Sequence, residues 1–335
     1  PKRIFFMSLE HPIALETSIL DFVESFRKIH GIPKKDKIYL FFDEVQYKEG
    51  FERELKILND NENVKIFASG SSASLIKDKK AFLTGRHNDI LVEPLDFKEF
   101  LIFKNIKIKE SEKYLYDKHF KEYMELGGMP EYVLKEDSED IINLVDDIIY
   151  KDIVGKHNIK NTKSIKELFL LLCERSGKNL TYNKLSKVLG LNVDTVKDYI
   201  SFFEEAFLIH LVYKHERSLN ARIKSPKKIY IADVGIRNVF TGFKDFGAVF
   251  ENLVFLKIKD KNPRYYYENN KEIDFIYNNT AVEAKFKKPT KEELKTLEQS
   301  KFKNKIVAKN WEFFLQTNWV FNLILQKGFV ETLQR

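Results

Sequence analysis

Runs of apolar residues divide the first hundred positions into strands and helices. Three short, nearly continuous apolar runs predict buried parallel strands, because such strands are covered on both faces; they lie at Ile4–Ser8, 38–42 and Val64–Ala68. Between these runs, apolar residues recur at helical spacing within 19–26 and 51–58. The order strand, helix, strand, helix, strand predicts a parallel α/β unit. A further short strand is predicted at 90–92.

Helical patterns dominate the middle of the chain. They run from 97 to about 158 and are interrupted at 127–130 by the sequence Gly-Gly-Met-Pro. A second group of three helices follows: the first has an apolar face within 165–173, the second ends at Gly190, and the third leads into an extended stretch at 208–213. Three helices and a strand in this order predict a winged helix.

The third of these helices is predicted to be capped by Asp194 or Thr195. Its outward positions are mostly acidic and would repel the phosphates of a nucleic acid. A structural or partner-docking role is therefore favoured over the reading of a DNA groove. The outward positions are Asp194, Lys197, Asp198, Ser201, Glu204 and Glu205.

The segment 271–286 predicts a β-hairpin. Asn278 and Asn279 form a plausible two-residue turn, since Asn tolerates positive φ better than most residues. That turn pairs Tyr277 with Thr280 and places Asp274 directly opposite Glu283. One face then carries Glu272, Asp274, Ile276, Ala281, Glu283 and Lys285, and the other is a core of Ile273, Phe275, Tyr277, Val282, Ala284 and Phe286.

The charged face of this hairpin predicts a metal site. Two carboxylates roughly 5 Å apart destabilise a sheet, and a divalent cation reverses the sign of that interaction. Oxygen ligands suit Mg²⁺, with Asp274 and Glu283 as ligands and Glu251 of an upstream helix as a third carboxylate. Lys285 is placed to orient or deprotonate a metal-bound water, as in phosphodiester hydrolysis. The alternative is an ordinary hairpin with a charged, solvated face.

A second candidate site follows the apolar run 38–42, which ends in Asp43 and Glu44. Ligands gather at the carboxyl ends of parallel strands, and in P-loop ATPases the first acid of such a pair holds Mg²⁺ while the second polarises water. The phosphate loop itself requires G-x-x-x-x-G-K-[ST]. Gly-Lys occurs at 155–156 and 177–178, and neither pair is followed by Ser or Thr. The sequence thus contains one half of an ATP site.

Composition narrows the class of protein. A chain of 335 residues, 43% hydrophobic and 32% charged, predicts a soluble protein of two or three domains. The single Cys173 excludes a disulfide framework and fits a reducing cytoplasm, and no membrane-spanning segment or membrane partner is expected. Residues 216–335 hold 23 Lys and Arg against 14 Asp and Glu. This basic excess favours DNA or RNA as a partner, although a Lys-rich solvated surface is about equally compatible with it.

Taken together, the chain resembles the archaeal-type AAA ATPases that carry a C-terminal domain of unknown function. The matching runs cover nearly its whole length, and their order is more specific than any one of them. They are Leu40-Phe41-Phe42-Asp43-Glu44-Val45-Gln46, Ala68-Ser69-Gly70-Ser71-Ser72, Leu83-Thr84-Gly85-Arg86, Pro94-Leu95-Asp96-Phe97-Lys98-Glu99-Phe100, Gly127-Gly128-Met129-Pro130-Glu131, Asp152-Ile153-Val154, Ile231-Ala232-Asp233-Val234-Gly235-Ile236-Arg237, Glu251-Asn252-Leu253-Val254-Phe255 and Glu272-Ile273-Asp274-Phe275.

The resemblance implies a Walker B pair at Asp43 and Glu44 for ATP and Mg²⁺, and a sensor-like strand end at Ser69 and Ser71. It also implies that Arg86 stabilises phosphate charge in this subunit or a neighbour, and that the C-terminus has a restriction-endonuclease-like fold. The sequence departs from the family at its start, where a phosphate loop and one helix should precede the first strand. We expect either a truncated sequence or a degenerate member of the family, and after Lys309 the tail departs from the family as well.

The predicted fold class is α/β in four parts: a partial P-loop ATPase core at 1–105, a helical lid at 106–160, a winged helix at 161–215 and a restriction-endonuclease-like domain at 216–335. The predicted function is an ATP-binding ATPase coupled to a nuclease-like, nucleic-acid-associated domain. The alternative is a non-catalytic interaction or regulatory module that docks a protein partner, or a second copy of the chain, through the winged helix.

Overall fold

The computed structural model describes residues 2–70, 88, 90–287 and 289–315, with only the backbone of Glu293. The chain divides into two compact units, Pro1–Val92 and Glu93–Arg335. Ser71 and Arg86, whose roles are implied by the family resemblance, lie outside the described residues. The four domains predicted from the sequence stay predictions.

The first unit is a three-stranded parallel sheet with the order β1-β2-β3. Its inner face packs against two helices around a core that includes Ile38, Leu40 and Phe42. All three strands fall where the apolar runs predicted them. In chain order the elements are β1 (Ile4–Ser8), α1 (Pro12–Glu16), α2 (Ile19–His30), β2 (Ile38–Asp43), a 3₁₀ turn (Val45–Tyr47), α3 (Phe51–Asn61) and β3 (Val64–Ala68).

The strand predicted at 90–92 is wrong. These residues form no strand, and the side chains of Ile90, Leu91 and Val92 are 70%, 57% and 88% exposed. An apolar run becomes a strand only if a neighbouring strand is available for its backbone hydrogen bonds, and these three residues have no such partner among the described residues.

The second unit begins with a helical layer, as predicted. Its helices are α4 (Phe97–Phe103), α5 (Leu115–Leu126), α6 (Pro130–Lys135) and α7 (Ser138–Asp147), with a 3₁₀ turn at Glu110–Glu112 and a π-helical continuation of α7 at Ile148–Gly155. Asp96 and Glu99 form a reciprocal capping box at the start of α4.

The helices predicted as a winged helix are α8 (Thr162–Glu174), α9 (Tyr182–Leu189) and α10 (Val193–Glu205). Asn192 is the N-cap of α10, so the predicted cap at Asp194 or Thr195 is wrong: both residues are already inside the first turn. Asp198 and Glu205 face solvent, as predicted.

A small antiparallel sheet accompanies these helices. It has the order β4-β6-β5, from β4 (Asn179–Leu180), β5 (Ile209–Tyr213) and β6 (Lys227–Ile231), with α11 (Leu219–Lys224) between the last two strands. Every residue of β6 is buried, including two lysines. This strand pairs across the boundary predicted between 215 and 216.

The C-terminal part is a four-stranded sheet with the order β10-β9-β8-β7. β7 and β8 are antiparallel, β8 and β9 form the predicted hairpin, and β10 is parallel to β9. The elements are α12 (Val234–Thr241), α13 (Phe246–Ile258), a 3₁₀ turn (Lys259–Lys261), β7 (Arg264–Glu268), β8 (Lys271–Tyr277), β9 (Thr280–Ala284), α14 (Lys291–Glu298), β10 (Asn304–Ala308) and α15 (Glu312–Leu315).

Helix α13 packs between this sheet and the helical layer. Its buried residues Phe250 and Val254 share one core with Phe120 of α5 and Phe275 of β8. Among the described residues, no helix combines the length and the apolar character required to cross a bilayer.

Candidate functional site

The carboxyl ends of the three parallel strands in the first unit bring polar side chains together. Asp43 ends β2 and lies in register with Ser8, the last residue of β1. Ser69 follows β3, and its hydroxyl donates a hydrogen bond of 2.5 Å to Asp43 Oδ1. The structure therefore brings two predicted residues, Asp43 and Ser69, into contact at this edge of the sheet.

Glu44 adopts a left-handed backbone conformation, with φ of 52°. A non-glycine residue in this region is uncommon, and such strain is often found at functional sites. Its carboxylate accepts a hydrogen bond from the side-chain amide of Gln46. This conformation turns the chain after β2, and Glu44 follows Asp43 directly at the carboxyl edge of the sheet.

The second site lies in the C-terminal unit, where α13 is fastened to β6. The side chain of Asn252 is fully buried and makes two hydrogen bonds to the backbone of Ile231, accepting from its N–H at 2.9 Å and donating to its carbonyl at 2.8 Å. Because this clamp fixes the rotation of α13, the neighbouring Glu251 is held against the side chains of β6.

Lys228 of β6 lies at the centre of a cluster of carboxylates. Its ammonium nitrogen is 2.9 Å from Glu251 Oε1, 2.7 Å from Glu272 Oε1 and 3.6 Å from Asp274 Oδ1. The side chain of Lys228 is only 3% exposed. Tyr230, two residues along the same strand, donates a 2.6 Å hydrogen bond to the same oxygen of Glu251. These contacts bring together α13, β6 and β8.

The predicted hairpin residues complete the cluster. Asp274 Oδ2 accepts a 2.9 Å hydrogen bond from the N–H of Ala284, and Lys285 Nζ is 3.0 Å from Glu283 Oε1. The other carboxylate oxygen of Glu283 is buried and has no hydrogen-bond partner among the described residues. An unsatisfied buried oxygen of this kind indicates a missing ligand or water.

The predicted turn is confirmed, but the predicted faces are only partly right. Tyr277 pairs with Thr280, and both Asn278 and Asn279 have positive φ. However, Ile273 packs with Ile276 and Ala281 against α14 instead of with Phe275. Between β7 and β8, Arg264 pairs with Ile276 and Tyr266 pairs with Ile273. One residue of β7 between these pairs is therefore opposite two residues of β8, which is a β-bulge.

This bulge falls at Asp274 and Phe275, and it interrupts the alternation of faces on which the prediction depended. The reading of the charged face as an ordinary solvated surface is also wrong, because Asp274 and Glu283 are only 8% and 7% exposed.

Burial and mutual repulsion change the acidity of these groups. Burial, and secondarily the Asp274 carboxylate, raise the pKa of both Glu251 and Glu283 to about 7. Burial alone would lower the pKa of Lys228, but Glu251, Asp274 and Glu272 outweigh it and raise that pKa. The ammonium is therefore firmly protonated, whereas two of the carboxyl groups change charge near neutral pH.

Two adjoining clefts open onto the cluster, with volumes of about 420 and about 370 Å³. Glu251, Asp274 and Lys285 line both. One cleft is bordered by Gly177, Lys178 and Asn179, and the other by Phe246, Gly247, Phe286 and Lys287. A substrate in either cleft would touch the carboxylates.

Two features of the cluster fit a divalent cation: its negative charge, and the carboxylate oxygen of Glu283 that has no hydrogen-bond partner among the described residues. When all six groups are ionised, four carboxylates face two lysines, which leaves two excess negative charges. The unsatisfied Glu283 oxygen provides a ligand position. In the part of the chain that the structure describes, however, no three acidic or histidine side chains are already arranged around a common metal position. The ammonium of Lys228 lies among three of these carboxylates.

Lys228 and Tyr230 were missed because they are far from the hairpin in sequence. The available signal was the pattern Lys228-Ile229-Tyr230 inside a strand, which places the ammonium and the phenol on one face. A lysine within a buried strand requires an anionic partner, and that partner can be identified only in three dimensions.

Two family models match parts of this chain. A family model described as an AAA domain matches residues 1–101, and a domain of unknown function, DUF8612, matches residues 117–246. The first match includes the strand ends that carry Asp43 and Ser69. The second ends at the start of α13, so the carboxylate cluster lies mostly beyond it.

Three relatives are uncharacterized proteins. MJ1544 of Methanocaldococcus jannaschii is 32% identical over 278 residues, covering 77% of this chain and 62% of the relative. A protein of Haemophilus influenzae is 31% identical over 257 residues, with coverage of 72% and 63%. MJ1637 of M. jannaschii is 26% identical over 353 residues, with coverage of 92% and 74%. The chain thus spans less than two thirds of the length of the first two relatives. Its N-terminal part is similar to AAA, P-loop-like domains, and a domain of unknown function follows.

Proposed function

We propose that this protein is a nucleotide-binding AAA-type ATPase whose C-terminal unit carries a nuclease-like site. The match to an AAA domain and the contact between Asp43 and Ser69 at the carboxyl edge of a parallel sheet support the first part. The unpartnered oxygen of Glu283 supports the nuclease-like site, in a cluster that has two excess negative charges when all its carboxyl groups are ionised.

In the ATPase site, Asp43 would hold Mg²⁺ and Glu44 would orient the attacking water, while Ser69 fixes the rotamer of Asp43. Arg86 is the proposed partner for phosphate charge, in the same subunit or a neighbouring one. The residues 1–335 contain no phosphate loop of the G-x-x-x-x-G-K-[ST] type, whose backbone N–H groups supply most of the contacts to phosphate oxygens.

Because residues 1–335 contain no phosphate loop of this type, we expect them to bind Mg-ATP only weakly. Isothermal titration calorimetry should give a dissociation constant well above the low-micromolar range, and Asp43→Asn should weaken the binding further. Glu10→Gln, on an exposed residue near the same strands, is the control and should leave it unchanged. Low-micromolar affinity for wild type would contradict the prediction. If the upstream reading frame encodes a phosphate loop, a longer chain that includes it should bind tightly.

In the nuclease-like site, Asp274, Glu283 and Glu251 would hold a divalent cation, which supplies charge stabilisation and an activated water when bound. Lys285, which contacts Glu283 and lines both clefts, would orient that water or accept its proton. The substrate would be DNA or RNA. The basic excess within 216–335 supports this, as do Lys178 and Lys287 at the borders of the clefts.

Replacement of Asp274 tests the metal site. Asp274→Asn should raise the free energy of unfolding by a few tenths to ~1 kcal/mol in EDTA, because it relieves repulsion among carboxylates. It should also diminish the Mg²⁺-induced rise in melting temperature. Thermal melts with and without Mg²⁺ measure both effects, with the exposed Asp260→Asn as control. An equal Mg²⁺ shift in wild type and Asp274→Asn would show that these carboxylates form no metal site.

The alternative is a non-catalytic module that docks a protein partner. The acidic outer surface of α10 favours it, since Asp194, Asp198 and Glu205 are exposed there. Cleavage of a labelled oligonucleotide in Mg²⁺ or Mn²⁺ separates the two functions: activity that Glu283→Gln abolishes supports the nuclease-like site. Loss of partner binding after charge reversal on α10, without any nuclease activity, supports the docking module.

A further inference from the structure

Two adjacent buried lysines on β6 have entirely different surroundings. The ammonium of Lys227 donates to the backbone carbonyls of Ile223 and Ser225 at 2.9 and 3.4 Å and lies over the rings of Tyr182 and Tyr213. Lys228 instead faces Glu251, Glu272 and Asp274. Successive residues of a strand point to opposite faces. The two lysines are therefore both buried in the same strand but contact different partners.

The ammonium of Lys228 contacts the Oε1 atoms of both Glu251 and Glu272. Glu251 Oε1 already receives both Lys228 Nζ at 2.9 Å and the hydroxyl of Tyr230 at 2.6 Å. Glu272 Oε1 is 2.7 Å from the same ammonium. The second oxygen of Glu283 contacts neither lysine: it is buried and has no hydrogen-bond partner among the described residues.

We propose that Lys228 is a built-in cation that occupies one of two cation positions in this carboxylate cluster, so that the cluster takes up a single divalent cation, on the side of Glu283 and Asp274. The inference rests on the proposed function, because it concerns the same metal site. Lys228 is a positioning residue here: it holds Glu272 and the Oε1 atom of Glu251 and excludes a second metal ion, so that Glu251 would ligate the single cation only through Oε2.

Charge supports a limit of one divalent cation. With Lys228 and Lys285 in place, the four ionised carboxylates leave two negative charges, which one divalent ion neutralises. A second divalent ion would leave two net positive charges beside a side chain that is only 3% exposed, where uncompensated charge is strongly disfavoured. Without the charge of Lys228, two divalent ions would leave only one net positive charge.

Manganese titration of the full chain tests this directly. Mn²⁺ binding is followed by the electron paramagnetic resonance signal of the free ion, in wild type, Lys228→Met and the matched control Lys227→Met. Methionine keeps the length of the side chain and removes the charge. Because the Asp43 site can also take Mn²⁺, all three are compared in an Asp43→Asn background.

Wild type and Lys227→Met should bind one equivalent of Mn²⁺, and Lys228→Met should bind two. Without metal, Lys228→Met should melt below Lys227→Met, because it leaves carboxylates unpaired. Since a ligand stabilises only the state that binds it, saturating Mn²⁺ should raise the melting temperature of Lys228→Met about twofold more than that of wild type.

The outcomes separate the two proposals. If wild type binds one equivalent and Lys228→Met also binds one with unchanged affinity, the built-in cation is refuted and the metal site stands. If wild type binds none and Lys228→Met binds Mn²⁺, Lys228 is the cation of the cluster and the metal-dependent nuclease is refuted. If neither binds, both proposals fail. Should Lys228→Met not fold with or without Mn²⁺, the same titration of Lys228→Gln decides.

Discussion

Gly128→Ala is expected to destabilise the C-terminal unit strongly. A Cβ at this position would lie 2.2 Å from the backbone carbonyl oxygen of Leu95, far inside any normal contact. Overpacking against the backbone cannot be relieved by a rotamer change, so we expect a loss of about 3 kcal/mol. For a unit of this size, that lowers the melting temperature by about 6–10 °C.

The effect should be large because Gly128 joins three segments that are distant in sequence. Its N–H donates a 2.6 Å hydrogen bond to Asp233 Oδ2, and its carbonyl accepts a 2.7 Å hydrogen bond from the N–H of Leu95. Asp233 is buried and also caps α12 through Gly235 and Ile236. Moving Gly128 away from Leu95 would therefore also strain the cap of α12.

Gly155→Ala is the matched control. An added Cβ there meets only the carbonyl of Tyr150 at 3.6 Å, which is ordinary van der Waals contact. Differential scanning calorimetry of wild type and both variants measures the comparison. Equal melting temperatures for Gly128→Ala and Gly155→Ala would mean that Leu95 can move away without loss of stability, which would contradict tight packing of Gly128 against Leu95.

In EDTA, the protein should lose stability as the pH rises from 5.5 to 8, and Glu283→Gln should remove part of that loss. Burial and the neighbouring Asp274 raise the pKa of Glu283 to about 7 from an ordinary value of 4.5. Between these two values the folded state keeps a proton that the unfolded state has released. The stability that this proton confers is therefore complete below about pH 4.5 and is lost as the pH rises through about 7.

Between pH 5.5 and 8 the contribution of Glu283 to this pH dependence is on the order of 2 kcal/mol, less than the full shift implies because part of the shift, from pH 4.5 to 5.5, lies below this range. Thermal melts at pH 5.5 and 8 should therefore show a difference in melting temperature that is smaller in Glu283→Gln by about 4–8 °C. The exposed Glu292→Gln on α14 should behave as wild type. An unchanged pH dependence in Glu283→Gln would show that its carboxyl is ionised throughout this range.

The periodicity of apolar residues was sufficient to predict secondary structure wherever a short segment determines its own conformation. The three strands of the first unit begin at the predicted residues, because a run of apolar residues flanked by polar ones has few other ways to be buried. The turn at Asn278 and Asn279 fixed the register of its hairpin, since both residues adopt the positive φ that a tight turn requires.

The sequence-based prediction failed where the local conformation depends on a segment that is distant in sequence. The run at 90–92 has the composition of a strand but no strand beside it, and the bulge at Asp274 exists only because β7 pairs with β8 in a shifted register. The predicted cap of α10, Asp194 or Thr195, was misplaced by two or three residues, because Asn192 is an equally suitable cap and only the backbone conformation distinguishes them.

By itself, the sequence determined the parallel strand unit that ends in Asp43, and the approach of Asp274 to Glu283 within one hairpin. Both follow from patterns in which neighbouring residues constrain each other directly. Only the tertiary structure decided that Lys228 of β6 and Glu251 of α13 join the hairpin carboxylates, through the hydrogen bonds of Asn252 to Ile231. Coulomb interactions depend on distance in space and hardly at all on separation along the chain, so the charge balance of this cluster could not be predicted from the order of its residues.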